Sequence, residues 1–335
     1  MFIGRNGRLA TFVFKKSPLT DEEIDRLRQR CRELNFTVIY SPVTPSNPTP
    51  TLRDAYTRLA MTPYANLPAF YRSLDWDISP STDDRPFFFQ KDRPGTPLKI
   101  QFNRSILFGN GTEVLTGLLL ISVVLLALFV FVPLAWLSPE PLVWRELPLA
   151  PLGYFACLGA GFMFVEMGLM QRFVLLLGHP VYSLSVILFT LLLGGGLGSA
   201  LSRRLGSPAR TLAIVIPAII VVSLAYSWML PSLFASWVAW ARPLRIMVSV
   251  AYLFPLGVLL GMPLPAGIRV IRERQPGVLA WAWGLNGAMS VLGATLAIHV
   301  AMSYGFARVA TYGAVIYAAA GLIGLWMSRG RTSAG

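Results

Sequence analysis

The sequence predicts a mainly α-helical, polytopic membrane bundle of about seven spans, preceded by a partial α/β segment. Composition is the first reason: of 335 residues, 54% are hydrophobic and 13% charged, against about 25% charged in a soluble domain. Mean hydropathy, at +0.57, is the second. The third is the spacing of charge. Charge-free stretches run 114–139, 147–165, 173–202, 211–241, 246–268, 275–307 and 309–328. Each is about long enough to cross ~30 Å of hydrocarbon at ~1.5 Å per residue.

Residues 1–44 read as soluble α/β material. Leu9–Phe14 is a short strand of aromatic and β-branched types. Thr20 with Glu23 three residues on is a capping box, which starts a helix. Ile24, Leu27, Cys31 and Leu34 give that helix one apolar face, and Phe36–Tyr40 is a second strand. Strand, helix and strand suggest a βαβ unit, too small to bury a core alone. It is expected to be the end of a larger domain. Residues 1–20 lack the apolar core of a signal peptide. Residues 45–112 form a linker and an aromatic-rich segment containing Thr82-Asp83-Asp84-Arg85-Pro86-Phe87-Phe88-Phe89. The spans follow over 113–328, near 113–137, 151–172, 180–201, 209–230, 245–268, 279–301 and 306–327, and residues 329–335 are a tail.

Net charge is +13. Residues 113–335 carry 13 basic residues, all arginine, and 5 acidic ones. These arginines punctuate apolar runs instead of clustering on a polar face. That excludes a nucleic-acid binder and points to lipid headgroups as the partner. Two cysteines, Cys31 and Cys157, exclude a disulfide scaffold. Two histidines, His179 and His299, exclude a histidine-rich metal cluster.

Five features are candidates for chemistry. The first is Asp83, Asp84 and Arg85: two adjacent carboxylates beside an arginine can bind a cation or an amine. Thr-Asp-Asp-Arg-Pro is also strong turn chemistry, with Asp side chains capping backbone amides and the phenylalanines as anchors. The second is Gly194-Gly195-Gly196-Leu197-Gly198, which lies inside a span and reads as close helix packing, not as a nucleotide loop. The third is Glu166 with Gln171, Arg172 and His179. Glu166 lies within an apolar run, where a carboxylate must pair, protonate or line a cavity. Arg172 is too far along the helix to pair with it, so any partner comes from elsewhere. A proton or cation site and a structural ion pair both fit. The fourth is Gly261-Met262-Pro263-Leu264-Pro265-Ala266-Gly267. Its prolines kink or break a span, and broken spans line some transporter sites. The fifth, Asn286, is a polar residue in a span of the kind that joins helices; His299 is expected to be hydrogen-bonded structure.

Three stretches resemble the membrane part of bacterial spermidine synthase-like integral membrane proteins. They are Tyr154 through Met167 continuing to Leu177-Gly178-His179-Pro180, Ser81 through Phe89, and Ala282-Trp283-Gly284-Leu285-Asn286-Gly287. The resemblance covers most of the chain. It implies that residues 1–44 are the C-terminal end of a Rossmann-like, aminopropyltransferase-like domain. In that family the glycine-rich loop for decarboxylated S-adenosylmethionine and the catalytic Asp lie upstream of the piece present here. No catalytic, cofactor-binding or metal-binding residue is therefore expected in this chain. Its expected role is a membrane module, not catalytic alone. A transporter-like bundle for a small cation or polyamine using Glu166, and a membrane scaffold for a Rossmann-domain synthase-like subunit, are the alternatives.

The expected location is the bacterial cytoplasmic membrane. Arg203, Arg204 and Arg210, then Arg269, Arg272 and Arg274, then Arg329 and Arg331 fall on one side, which the positive-inside rule makes cytoplasmic. Seven spans then put residues 1–112 outside, although Lys99 and Arg104 flank the first span. A re-entrant segment within the 151–172 and 180–201 pair would relieve that conflict.

Overall fold

The computed structural model describes residues 1–7, 9–42, 58–59, 61–75, 77–88, 93, 111–133 and 148–329. The linker over 45–55, Trp76, Phe89, Lys99, Arg104 and residues 330–335 lie outside the described residues. Two compact units divide between Ser79 and Pro80, inside the stretch read from sequence as linker and aromatic segment.

The first unit holds a three-stranded sheet of β1 (Phe2–Asn6), β2 (Leu9–Val13) and β3 (Thr37–Tyr40) in the order β2-β1-β3. Both pairings are antiparallel, with Phe2 opposite Val13 and Gly4 opposite Val38. β2 and β3, each antiparallel to β1, run parallel to one another, so the expected strand, helix and strand are present with a further strand set between them. β2, helix α1 (Asp21–Glu33) and β3 do follow in that order, but β1, absent from the sequence reading, lies between the two strands. A doubly wound sheet has mostly parallel neighbours, whereas among the described residues both hydrogen-bonded pairs are antiparallel.

At the start of α1 the capping box closes. The Glu23 N–H donates to Thr20 Oγ1 at 3.4 Å and the Thr20 N–H donates to Glu23 Oε2 at 2.9 Å. Lys15 donates to Glu23 at 2.7 Å. Lys15 first, then the Thr20 amide, hold the Glu23 carboxyl below its ordinary range. Ile24 is buried. Gly4 lies close to Cys31, whose thiol burial pushes upward. A short helix, α2 (Leu67–Arg72), completes this unit.

The second unit is helical. Among the described residues, seven segments are long and apolar enough to cross a membrane. They are built from α3 (Gly111–Leu126, continued by a π-helical stretch to Phe131), α4 (Leu149–Leu177), α5 (Pro180–Leu201), α6 (Pro208–Trp237), α7 (Arg242–Leu260) with α8 (Pro263–Arg274), α9 (Leu279–Tyr304) and α10 (Phe306–Arg329). The protein is an integral membrane protein by this measure. The pair α4 and α5, where a re-entrant segment was one expectation, consists of two long helices of 29 and 22 residues. Gly178, with φ +77°, ends the first, and Pro180 opens the second.

α4 is the hub, packed against α9 and α10. Glycines set how closely the helices approach. Gly159 faces the carbonyl of Asn286, and a Cβ there would overlap it. Between α5 and α7, Gly194 and Gly198 face the backbone of Phe254–Val258, and Gly195 faces Gly261. The Gly194–Gly198 run is thus a packing surface, as its place in a span suggests.

The span over 242–274 is broken. α7 stops at Leu260, Gly261 and Met262 interrupt it, and α8 starts at Pro263. Tyr154, fully buried on α4, donates its hydroxyl to the Pro263 carbonyl at 2.6 Å, and its ring fills the space beside Gly267. The break is packed against side chain and backbone on both sides.

Candidate functional site

At one end of the helical unit, Thr82 to Arg85 form a tight turn. The Arg85 N–H donates to the Thr82 carbonyl at 2.9 Å and to its Oγ1 at 3.1 Å; the Thr82 N–H donates to the Arg85 carbonyl at 3.3 Å. The two central carboxylates then have different fates. Asp84 caps α10 twice: its carbonyl accepts from the Phe306 N–H at 2.9 Å and its Oδ1 accepts from the Ala307 N–H at 2.8 Å. Those amides have no partner inside their own helix, and a negative charge is favoured at that terminus. Gly305, with φ +89°, is needed twice over, because a Cβ there would also run into the Asp84 carboxylate. Phe87 packs on Phe306 with ring centroids 5.7 Å apart. Asp83 is exposed, and among the described residues no hydrogen bond or ion pair reaches it.

Asp84 also pairs with Arg172. Arg172 Nη2 lies 3.5 Å from Asp84 Oδ1, and Arg172 Nη1 donates to the Ser227 carbonyl on α6. One guanidinium thus ties the end of α4 to α6 and to the turn. Arg245 acts alike, donating to the Leu176 carbonyl at 2.7 Å near the end of α4, where helix carbonyls lack partners.

A cavity of about 610 Å³ opens between the turn and the adjoining ends of α4 and α6. Thr82, Asp83, Asp84 and Arg172 make its polar side. Leu176, Phe234 and Ala235 are among its apolar walls.

The other candidates do not gather here. Asn286 donates to the Phe155 carbonyl at 3.0 Å. Phe155 lies 17 residues before Arg172, about 25 Å along the helix. Glu166 sits between them, 2% exposed, and among the described residues no hydrogen bond or ion pair reaches its carboxylate. Gln171 is half-buried. His179 is the exposed N-cap of α5: its Nδ1 accepts from the Val181 N–H at 3.3 Å and its ring meets Tyr182 edge-on. Arg85 contributes its backbone to the turn. Gly261, Pro263, Pro265 and Gly267 belong to the packed break. His299, expected to be hydrogen-bonded, has a buried Nδ1 that meets no partner among the described residues. Among the described residues no group of three His, Cys, Asp or Glu is placed to hold a metal.

The sequence points to another helix for a partner of Glu166; among the described residues none reaches it, and it is Arg172 that is paired, by Asp84 in a turn 88 residues upstream. The sequence reading missed Tyr154 as the residue that braces the break. No family model, curated protein or solved structure matches this chain.

Proposed function

We propose that the chain is the membrane module of a bacterial spermidine synthase-like protein, seated in the cytoplasmic membrane and not catalytic alone. One observation carries the reading: the three stretches on which the resemblance rests meet on one helix. Asp84 reaches Arg172, and Asn286 reaches Phe155, both on α4. Their polar atoms engage backbone and each other, as joints between helices do, and not as groups poised for transfer chemistry. Residues 1–42 offer no glycine-rich phosphate or nucleoside loop. Decarboxylated S-adenosylmethionine would therefore belong to a Rossmann-like domain or subunit that this module holds at the bilayer. Arg203, Arg204, Arg210, Arg269 and Arg272 share the end opposite the Asp84 turn, against Arg242, Arg245 and Arg308 at the turn's end, and the positive-inside rule favours the former as cytoplasmic.

The test is purification of the tagged protein from its own membrane, with intact mass and subunit identification. The reading expects a Rossmann-domain synthase-like polypeptide, either as mass above 36.8 kDa or as a co-purifying subunit. It also expects no aminopropyl transfer by the 335-residue chain above a protein-free blank. Absence of any such polypeptide, or turnover by this chain alone, would overturn it.

A second reading, a transporter-like bundle for a small cation or polyamine, is favoured by Glu166. A carboxylate inside a span without a partner is a functional candidate by default. Proteoliposomes decide it: uptake by the wild type that Glu166→Gln abolishes, with folding intact, supports transport, and no uptake by either form removes it.

A further inference from the structure

We propose that the cavity between the Thr82–Arg85 turn and the ends of α4 and α6 binds an amine-bearing amphiphile. Its ammonium group sits at Asp83, and its apolar chain lies along Leu176, Phe234 and Ala235. The volume, about 610 Å³, falls within the range of small-molecule pockets, roughly 300–1,000 Å³. Polarity is confined to one side of it. There Asp84 is engaged by Ala307 and Arg172, and Arg172 by Asp84 and Ser227. Asp83 lines the cavity and is engaged by nothing among the described residues. One negative charge is left uncompensated among the lining residues. It favours a hydrogen-bonding cation and disfavours an anion. The apolar walls give a bare metal ion nothing to coordinate, whereas an alkyl chain fills them.

Leu175 and Val238, which also line the cavity, are exposed. The cavity is therefore open beside exposed apolar side chains at the ends of two spans. The same ligand chemistry can arrive from either phase, as a free alkylamine from water or as an aminophospholipid from the bilayer.

The experiment uses the full chain in phosphatidylcholine nanodiscs with radiolabelled octylamine, and octanol as the neutral control. Saturable octylamine binding is expected, weakened at least about fivefold by Asp83→Asn, with octanol binding unchanged. Ala235→Trp, which fills the apolar part, should weaken both ligands. Should Ala235→Trp fail to fold, Asp83→Asn carries the test alone, because among the described residues no hydrogen bond or ion pair reaches Asp83. Phosphatidylethanolamine added to the nanodiscs separates the sources. Reduced octylamine binding assigns the site to the lipid, and undiminished binding assigns it to free amines. Equal octylamine binding by wild type and Asp83→Asn, or uptake that does not saturate, would overturn the proposal.

Discussion

α3 and α4 are both membrane-spanning helices, yet they invert what hydrophobicity means in water. α3 is the more apolar, with a mean hydropathy of 2.6 in its best window, and only 6% of that window is buried within the protein. α4 has a mean hydropathy of 1.5, and 67% of its window is buried. α3 packs mainly on α9, whereas α4 touches most of the bundle. Lipid tails are as apolar as leucine, so apolar surface gives a helix no reason to leave them. What draws helices together is close backbone approach and polar atoms that find partners. α4 has both: Gly159, Gly161 and Gly168 lie against its neighbours, and Tyr154, Phe155 and Arg172 supply hydrogen bonds to other helices. Among the described residues the most hydrophobic candidate span is the least buried, and one of the two least hydrophobic is the hub.

Glycine substitution should break that contrast most sharply. Gly159→Val places a side chain on the Asn286 carbonyl, where backbone must move. The expected cost is on the order of 3 kcal/mol or more. In detergent, it should appear as a large fall in melting temperature or loss of the monodisperse species. Gly117→Val on α3 meets nothing within 4 Å and should leave the melt unchanged. A similar response of the two variants would remove the distinction between the helices.

Much of this architecture is legible in the sequence, for a physical reason. A span must satisfy its backbone internally, so length and charge spacing nearly determine the helices. The Gly194–Gly198 run is legible for the same reason, since glycine in a span marks close approach. The small sheet is less so. β1 is short and half polar, although Asn6-Gly7, with Gly7 at φ +58°, is a hairpin signal beside Leu9–Val13. Its insertion between β2 and β3 depends on pairing, which no local pattern encodes. The Asp84–Arg172 contact was hidden similarly. Adjacent Asp83 and Asp84 look equivalent in sequence, and only the docked α10 terminus separates a capping carboxylate from a free one.

That separation sets the next expected effect. Asp84→Ala removes the acceptor for the Ala307 N–H and the partner of Arg172. Loss of a cap costs about 0.5–2 kcal/mol. The ion pair adds little, because the Asp84 side chain is 43% exposed. A destabilisation of about 1–2 kcal/mol is expected, read as a lowered thermal midpoint, with Asp83→Ala within about 0.5 kcal/mol of wild type. Equal effects of the two alanine variants would mean that the turn does not hold α10 through Asp84.

The smallest expected effect belongs to the outermost helix and sharpens the comparison from the other side. Val124 on α3 is 63% exposed, whereas Val165 on α4 is 2% exposed. Val165→Ala leaves space among packed side chains that cannot fully close, at a cost of about 1–2 kcal/mol. Val124→Ala leaves space that acyl chains fill at once, so its effect should stay below about 0.5 kcal/mol. Thermal melts of the two variants in the same lipid nanodiscs compare them directly. If Val124→Ala destabilises as much as Val165→Ala, α3 faces protein where lipid is expected. A further chain would then cover it in the membrane, and its low burial would mark an interface instead of a lipid boundary.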